Sequence, residues 1–181
     1  MMVPTHGRGT FRRFLIGSVT TKLIHDLSCP IWTSAHLLPE DHPEEKSPRY
    51  RSIICAVDTD ATGLPLVKEA GAFAKSFGAK LSLIHVVSAP AMAMEVDFAP
   101  FLAQLVDAAD QTLQQIREES GVDADIAIVE GPIADRIRME ATSRNADLVI
   151  VGRGHSKSGL ARFGSALYRI VRESPCPVLS F

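Results

Sequence analysis

The chain has 181 residues, enough for one complete domain with some length to spare. Its net charge of −2 gives no overall attraction for nucleic acid or an anionic membrane, and Arg12-Arg13 with a loose scatter near Lys157 and Arg162 is not a basic stripe, so neither partner is expected. The apolar runs at 81–87 and 148–151 have strand length, far short of the ~20 residues a spanning helix needs.

Near the N-terminus, Phe11-Arg12-Arg13-Phe14-Leu15 has the look of a twin-arginine leader. Thr20, Thr21, Lys22, His25 and Asp26 break the apolar stretch that must follow, so no export and a cytoplasmic location are expected. Residues 35–50 bring Pro39, Pro43 and Pro48 together with a cluster of acids and show no periodicity, which reads as a solvated linker. The chain therefore divides into residues 1–34, a linker at 35–50 and a complete domain at 51–181. Cys29, Cys55 and Cys176 do not make a disulfide framework. Cys55 falls inside a strand pattern, where cysteine packs as a small hydrophobe.

Beyond the linker, strand and helix patterns alternate. Residues 52–57 form a short apolar run that ends at Asp58. Gly63 to Phe77 place Leu66, Val67, Ala70, Phe73, Ala74 and Phe77 on one helical face, and Gly78 stops it. Residues 80–87 make a second strand, and a loop with Pro90 and methionines follows. Residues 101–120 repeat apolar positions at helical spacing and stop at Gly121. A third strand at 124–129 closes on Gly131, and a helix covers 133–144. Residues 147–151 form the fourth strand. A glycine-rich loop at 152–164 leads into a helix at 165–173 and a last strand at 177–181.

Apolar strands separated by helices predict an open parallel sheet covered on both faces. In such sheets ligands bind beyond the carboxyl ends of the strands, near the point where strand order reverses. That rule singles out Asp58, residues 86–88, Gly131 and the segment from Gly152 onward.

The first segment echoes the last. Gly7, Gly17, Ser18, Cys29 and Pro30 match Gly154, Gly164, Ser165, Cys176 and Pro177 at one constant offset, and Lys22-Leu23-Ile24 parallels Arg169-Ile170-Val171. Residues 1–34 then read as the loop, helix and last strand of a second, partial copy. The strand at 31–33 is expected to pair with, or lie beside, residues 178–180. The helix at 18–27 is expected to leave Leu23, Ile24 and Leu27 bare, and so to drive self-association.

Several stretches carry a family resemblance. They are Ala56-Val57-Asp58, His85-Val86, Gly131-Pro132-Ile133-Ala134-Asp135-Arg136-Ile137, Ala146-Asp147-Leu148-Val149-Ile150-Val151-Gly152, the spacing Gly154-x9-Gly164-Ser165, and Ser174-Pro175-Cys176-Pro177-Val178. Together they resemble universal stress proteins, whose fingerprint after strand four is Gly-x2-Gly-x9-Gly-Ser/Thr. The resemblance covers the domain at 52–181 and, as a partial copy, residues 3–34. It implies a five-stranded parallel sheet in the order 3-2-1-4-5, with helices on both faces. It also implies that Ala56, Asp58 and Val86 flank adenine and ribose while Gly152, Gly154, Gly164 and Ser165 hold phosphates. The ligand would be ATP, with or without Mg2+, and the partner a second copy meeting through the last strand.

Physical chemistry supports the phosphate role, because glycines let a phosphate approach the backbone and a helix N-terminus supplies free amides and partial positive charge. At that N-terminus Ser165 would cap the helix. One departure stands out. The loop reads Gly152-x-Gly154, one residue shorter than the fingerprint, and in the first copy Pro4 stands where the first glycine belongs.

No Walker loop, Rossmann fingerprint or metal-ligand spacing is present, and no nucleophile has a neighbouring base. The expected function is nucleotide binding in a stress response without catalysis or with very slow hydrolysis. The alternative is a nucleotide-free dimeric interaction module of the same fold. An enzyme of the wider adenine-nucleotide α-hydrolase-like group is disfavoured, since the phosphate loop such enzymes carry after strand one is missing.

Overall fold

The computed structural model describes residues 1–3, 22–24, 26–27, 29–33, 50–88, 99–153 and 162–181, with backbone alone at 162–165. Its strands are β1 (Met2–Val3), β2 (Ile31–Thr33), β3 (Ser52–Ala56), β4 (Lys80–Val87), β5 (Asp125–Glu130), β6 (Leu148–Val151) and β7 (Val178–Ser180). The helices are α1 (Gly63–Phe77), α2 (Ala99–Ser120), α3 (Ile133–Ser143) and α4 (Arg162–Glu173). Residues 22–24 and 26 are also helical.

The sheet runs β1-β2-β7-β6-β3-β4-β5. Within it the strands of residues 51–181 keep the 3-2-1-4-5 order and are parallel to one another. The expected five-stranded sheet is nevertheless too small. Among the described residues seven strands form one sheet, because β2 adds antiparallel to β7 and β1 adds parallel to β2. The pairing of residues 31–33 with 178–180 is realised as Ile31 opposite Ser180, Trp32 opposite Leu179 and Thr33 opposite Val178. The physical reason for the extra strands is that an unpaired edge strand leaves a row of free amides and carbonyls, which the first segment satisfies.

Core residues divide between the two sheet faces. Ile54, Ala56, Ile84, Val149, Val151 and Val178 pack against α3 and α4. Ile53, Cys55, Val57, Leu81, Leu83, Leu148 and Ile150 pack against α1 and α2. This is the two-residue alternation of a strand, with both sides apolar because helices cover both. Cys55 has no exposed surface, and burial pushes its thiol pKa up, as expected of a packed cysteine.

The bare apolar face expected on the first segment is not there. Ile24 is 2% exposed and lies in the α3/α4-side core, with Leu23 and Leu27 packed against it. Residues of 51–181 supply the cover.

Local chemistry ends the helices where the sequence indicated. Gly78 takes φ +64°, and the Ala79 N–H returns to the Ala74 carbonyl at 2.9 Å, closing α1 with a left-handed turn. Asn145, at φ +47°, ends α3 in the same way, with Ala146 N–H on Ala141 O at 2.9 Å.

At the amino ends of the strands one carboxylate joins two of them. Asp147 Oδ2 accepts the backbone N–H groups of Arg51 at 2.7 Å and Ser52 at 2.9 Å. The Asp147 N–H donates to Ser52 O at 2.8 Å, and Ser52 Oγ donates to Arg144 O at 3.1 Å. Across β4 and β5, Lys80 Nζ meets Asp125 Oδ2 at 3.0 Å, and this hydrogen bond and charge hold the Asp125 carboxyl below its usual range.

Candidate functional site

The order of the sheet reverses between β3 and β6, since β4 and β5 lie on one side of β3 and β6 and β7 on the other. Ala56 stands opposite Ile84 on β4 and Val151 on β6. Asp58 and Val86 follow two residues beyond this level, and Gly152 one. Ala56, Asp58, Val86 and Gly152 are thereby brought to one end of three adjacent strands, at the crevice where open α/β sheets bind ligands.

The turn after β3 is tightly held. Val57 N–H donates to Ile84 O at 2.9 Å, and its carbonyl lies 2.9 Å from His85 Nδ1, which must carry the proton to donate there. His85 thus fixes the peptide that carries Asp58. Asp58 Oδ1 accepts the Thr59 N–H at 2.8 Å, and Asp60 Oδ1 accepts the Thr62 N–H at 2.8 Å. Gly63 then starts α1 against this turn. A Cβ there would stand 2.4 Å from the Asp58 carbonyl oxygen, so no side chain fits without moving backbone. Asp58 is half-buried, and among the described residues its Oδ2 accepts no hydrogen bond. That oxygen remains for hydroxyl or amine donors of a ligand.

Ala56 is buried at the end of β3 with its side chain on the α3/α4 face, and Val86 is half-buried on the same face. One strand further out, Gly131 N–H donates to Val87 O at 3.0 Å and Ser88 Oγ donates to Gly131 O at 3.1 Å. Gly131 has φ +132°, which a side chain would not tolerate, so it is required by the turn itself.

Gly152 follows β6 and is half-buried, with only an ordinary contact from its Cβ position to Leu66. Gly154 lies outside the described residues. Gly164 and Ser165 lie within α4, which starts at Arg162, three residues earlier than expected. Ser165 is therefore in the first turn and not at the cap, which corrects the capping role read from the sequence. A single glycine costs a helix only about 1 kcal/mol, too little to hold off its start at that position. The amides of the first three helical residues, Gly164 among them, lack partners within the helix, whereas that of Ser165, the fourth, makes the first helical bond.

Arg153 was missed by sequence reasoning. Its N–H donates to Phe181 O at 2.9 Å, extending the β6–β7 ladder. Its guanidinium turns to the first segment, where Nη2 donates to Cys29 O at 2.7 Å and Nη1 to Leu27 O and, at 3.4 Å, to Ile24 O. Burial lowers its pKa. The available signal was a lone cation between two glycines of a loop expected to meet anions.

Among the described residues no three His, Cys, Asp or Glu side chains gather, and no helix is long and apolar enough to cross a membrane.

Comparison with known proteins is consistent with this geometry. The profile of the Universal stress protein family matches residues 1–34 and 49–181. A universal stress protein of Methanocaldococcus jannaschii is 29% identical over 138 residues, covering 72% of this chain and 81% of that protein. A crystal structure of a putative universal stress protein from Pseudomonas aeruginosa superposes with a TM-score of 0.69 at 18% identity, covering 99% of this chain; the chain spans 62% of that structure's length. A universal stress protein crystallised in complex with cAMP is 26% identical, with a TM-score of 0.50 and coverage of 73% of this chain and 96% of that one. On the extent of the profile match, this chain belongs to the universal stress protein family.

Proposed function

We propose that the chain binds an adenine nucleotide, ATP with or without Mg2+, at the carboxyl end of β3 and β6, in a cytoplasmic stress-response role without catalysis or with very slow hydrolysis. The observation that carries this reading is Asp58. Its own turn and His85 hold it in place where strand order reverses, and among the described residues one carboxylate oxygen is left over. Asp58 would take ribose hydroxyls, with Ala56 and Val86 beside the base. Gly152, Gly154, the free first-turn amide of Gly164 and Ser165 would take phosphates. A relative that holds cAMP supports an adenine nucleotide as the ligand class. The sequence names no activating base, which is why turnover is not proposed.

Residues 1–34 are read as a partial copy of the same fold, 35–50 as a linker and 51–181 as the complete domain. The family match at 1–34 and 49–181 supports this division. So does topology, because β1 pairs parallel with β2 as β6 pairs parallel with β7.

A second reading is favoured by one specific observation. Met1 N donates to Pro30 O at 2.8 Å, as Val149 N donates to Pro177 O at 3.0 Å. Matching Met1 to Val149 needs an offset one residue larger than the one that aligns Gly7 with Gly154 and Pro30 with Pro177. The loop after β6 has therefore lost a residue relative to its counterpart, and a shortened phosphate loop fits a nucleotide-free interaction module.

Mass spectrometry of ligand released from the purified full chain separates the two. ATP or ADP in near-equal molar amount supports the first; a nucleotide-free protein that also fails to bind added ATP supports the second.

A further inference from the structure

The first segment is fastened to the candidate site through the residue next to Gly152. Arg153 is held by its main chain on the β7 side, where its N–H donates to Phe181 O at 2.9 Å, and the Phe181 N–H donates to Val151 O at 3.0 Å. Gly152 is the single residue between these two contacts, so its backbone is held at both ends. The Arg153 side chain turns to the first segment. Nη2 donates to Cys29 O at 2.7 Å, and Nη1 donates to Leu27 O and, at 3.4 Å, to Ile24 O. These acceptors suit a cation. Residues 22–24 and 26 are helical, and the Leu27 N–H returns to Leu23 O at 3.1 Å. Carbonyls at the end of a helix lack partners within it and carry partial negative charge. A planar guanidinium reaches several of them with one rigid fork.

The carbonyls that hold this lock are themselves fixed. Ile24 is buried in the core cluster that contains Val151 of β6 and Leu167 and Ile170 of α4. Beyond Cys29 the segment is fastened again, since Thr33 Oγ1 donates to Val178 O at 3.1 Å and Ser180 Oγ donates to Ile31 O at 3.4 Å. The first segment therefore packs against both halves of the phosphate end: the strand that delivers Gly152, and the helix that delivers Gly164 and Ser165.

We propose that Arg153 is a positioning residue for the phosphate end of the nucleotide site: by gripping the carbonyls of Ile24, Leu27 and Cys29 it sets the Gly152 backbone, and the first segment is thereby a working part of that site. The inference rests on the nucleotide reading and deepens it. Both Nη groups are engaged on the first segment, so Arg153 acts on a phosphate through the backbone it fixes and not by touching it. The residues beside adenine and ribose are Ala56, Asp58 and Val86, which stand on or just after β3 and β4. Arg153 does not hold those strands, so its effect is confined to the phosphates.

The test is calorimetric titration of ATP and of adenosine into the full chain beside full-length Arg153→Met, which keeps an apolar stem and removes the fork. Adenosine has no phosphate and reports the base and ribose end alone. In the variant, ATP affinity is expected to fall about tenfold while adenosine affinity changes by less than about twofold. Hydrogen exchange at the amides of residues 152 and 153 is expected to quicken at least about tenfold in the ligand-free variant. If Arg153→Met does not fold, Arg153→Lys replaces it, since one ammonium does not reproduce the fork. Unchanged ATP affinity overturns the proposal. So does an equal loss for ATP and adenosine, which would make Arg153 a structural brace only. A parent that binds neither ligand defeats the nucleotide reading, and exchange then decides alone: quickening at 152 and 153 supports the hold on this backbone, and unchanged exchange overturns it.

Discussion

The two ends of the sheet use acids in opposite ways. At the amino end, Asp147 turns its carboxylate inward onto the Arg51 and Ser52 amides and ties β6 to β3. At the carboxyl end, among the described residues Asp58 bonds only the amide of its own neighbour, Thr59, which leaves its second oxygen without a described donor. Both acids fall within stretches of the family resemblance, so sequence alone does not separate them. Their hydrogen bonds do: one closes the fold, the other is held in position by it.

The sharpest way to break this contrast is Asp147→Ala. It removes the acceptor of two backbone donors, and hydrogen bonds to charged groups contribute about 1.5–3 kcal/mol each. Water can replace part of the bond at the exposed Arg51 amide, so a loss of about 2–4 kcal/mol is expected in urea unfolding, with ATP affinity of the folded fraction unchanged. A neutral effect on stability would remove Asp147 from its structural role.

Gly63→Ala probes the support under Asp58. Its Cβ would fall 2.4 Å from the Asp58 carbonyl, so the turn must shift. A destabilisation of about 1–3 kcal/mol, typical of overpacking, is expected together with weaker nucleotide binding. Unfolding curves and calorimetric titration on the same sample check both.

Asp58→Ala should do the reverse of Asp147→Ala. Stability changes by no more than about 0.5 kcal/mol, as at ordinary surface positions, while ATP affinity falls about tenfold or more. A large drop in melting temperature without ligand would show that Asp58 is a structural cap instead.

The smallest effect concerns Tyr50, whose phenol is pushed up to about 12 by burial and by the charge of Asp147. Its folded pKa is raised above the unfolded value near 10, so the folded state keeps its proton longer. The stability it contributes is complete below pH 10 and is lost as pH rises from about 10 to 12. Tyr50→Phe should flatten that part of the stability curve, read from thermal unfolding at stepped alkaline pH.

Much of the fold was legible because period and punctuation agreed. Gly63 to Phe77 and Lys80 to Val87 were bounded as found, since Gly78 breaks the helix and the apolar run has strand length. The β2–β7 pairing followed from reading residues 31–33 as a copy of the last strand. The two-residue β1 was not legible, because Met2 and Val3 carry no alternation long enough to count. Nor was the start of α4 at Arg162, because Gly164 looked like a boundary and is only a weak one.

In the site, Asp58 and Gly152 stand where strand order implied. Gly154 lies outside the described residues. Arg153 was invisible as a lock because its partners are three backbone carbonyls, which no side-chain pattern announces. The burial of Leu23, Ile24 and Leu27 was misjudged because their cover comes from a domain distant in sequence.

The most direct measurement is calorimetric titration of ATP into the full chain, with Asp58→Ala and Gly164→Val run beside it. The account predicts one site per chain in the parent, weakened in both variants, with all three melting cooperatively in the absence of ligand. Saturable binding of equal strength in all three would contradict the assignment of the carboxyl end of β3 and β6 as the nucleotide site. No binding to the parent would contradict nucleotide binding itself.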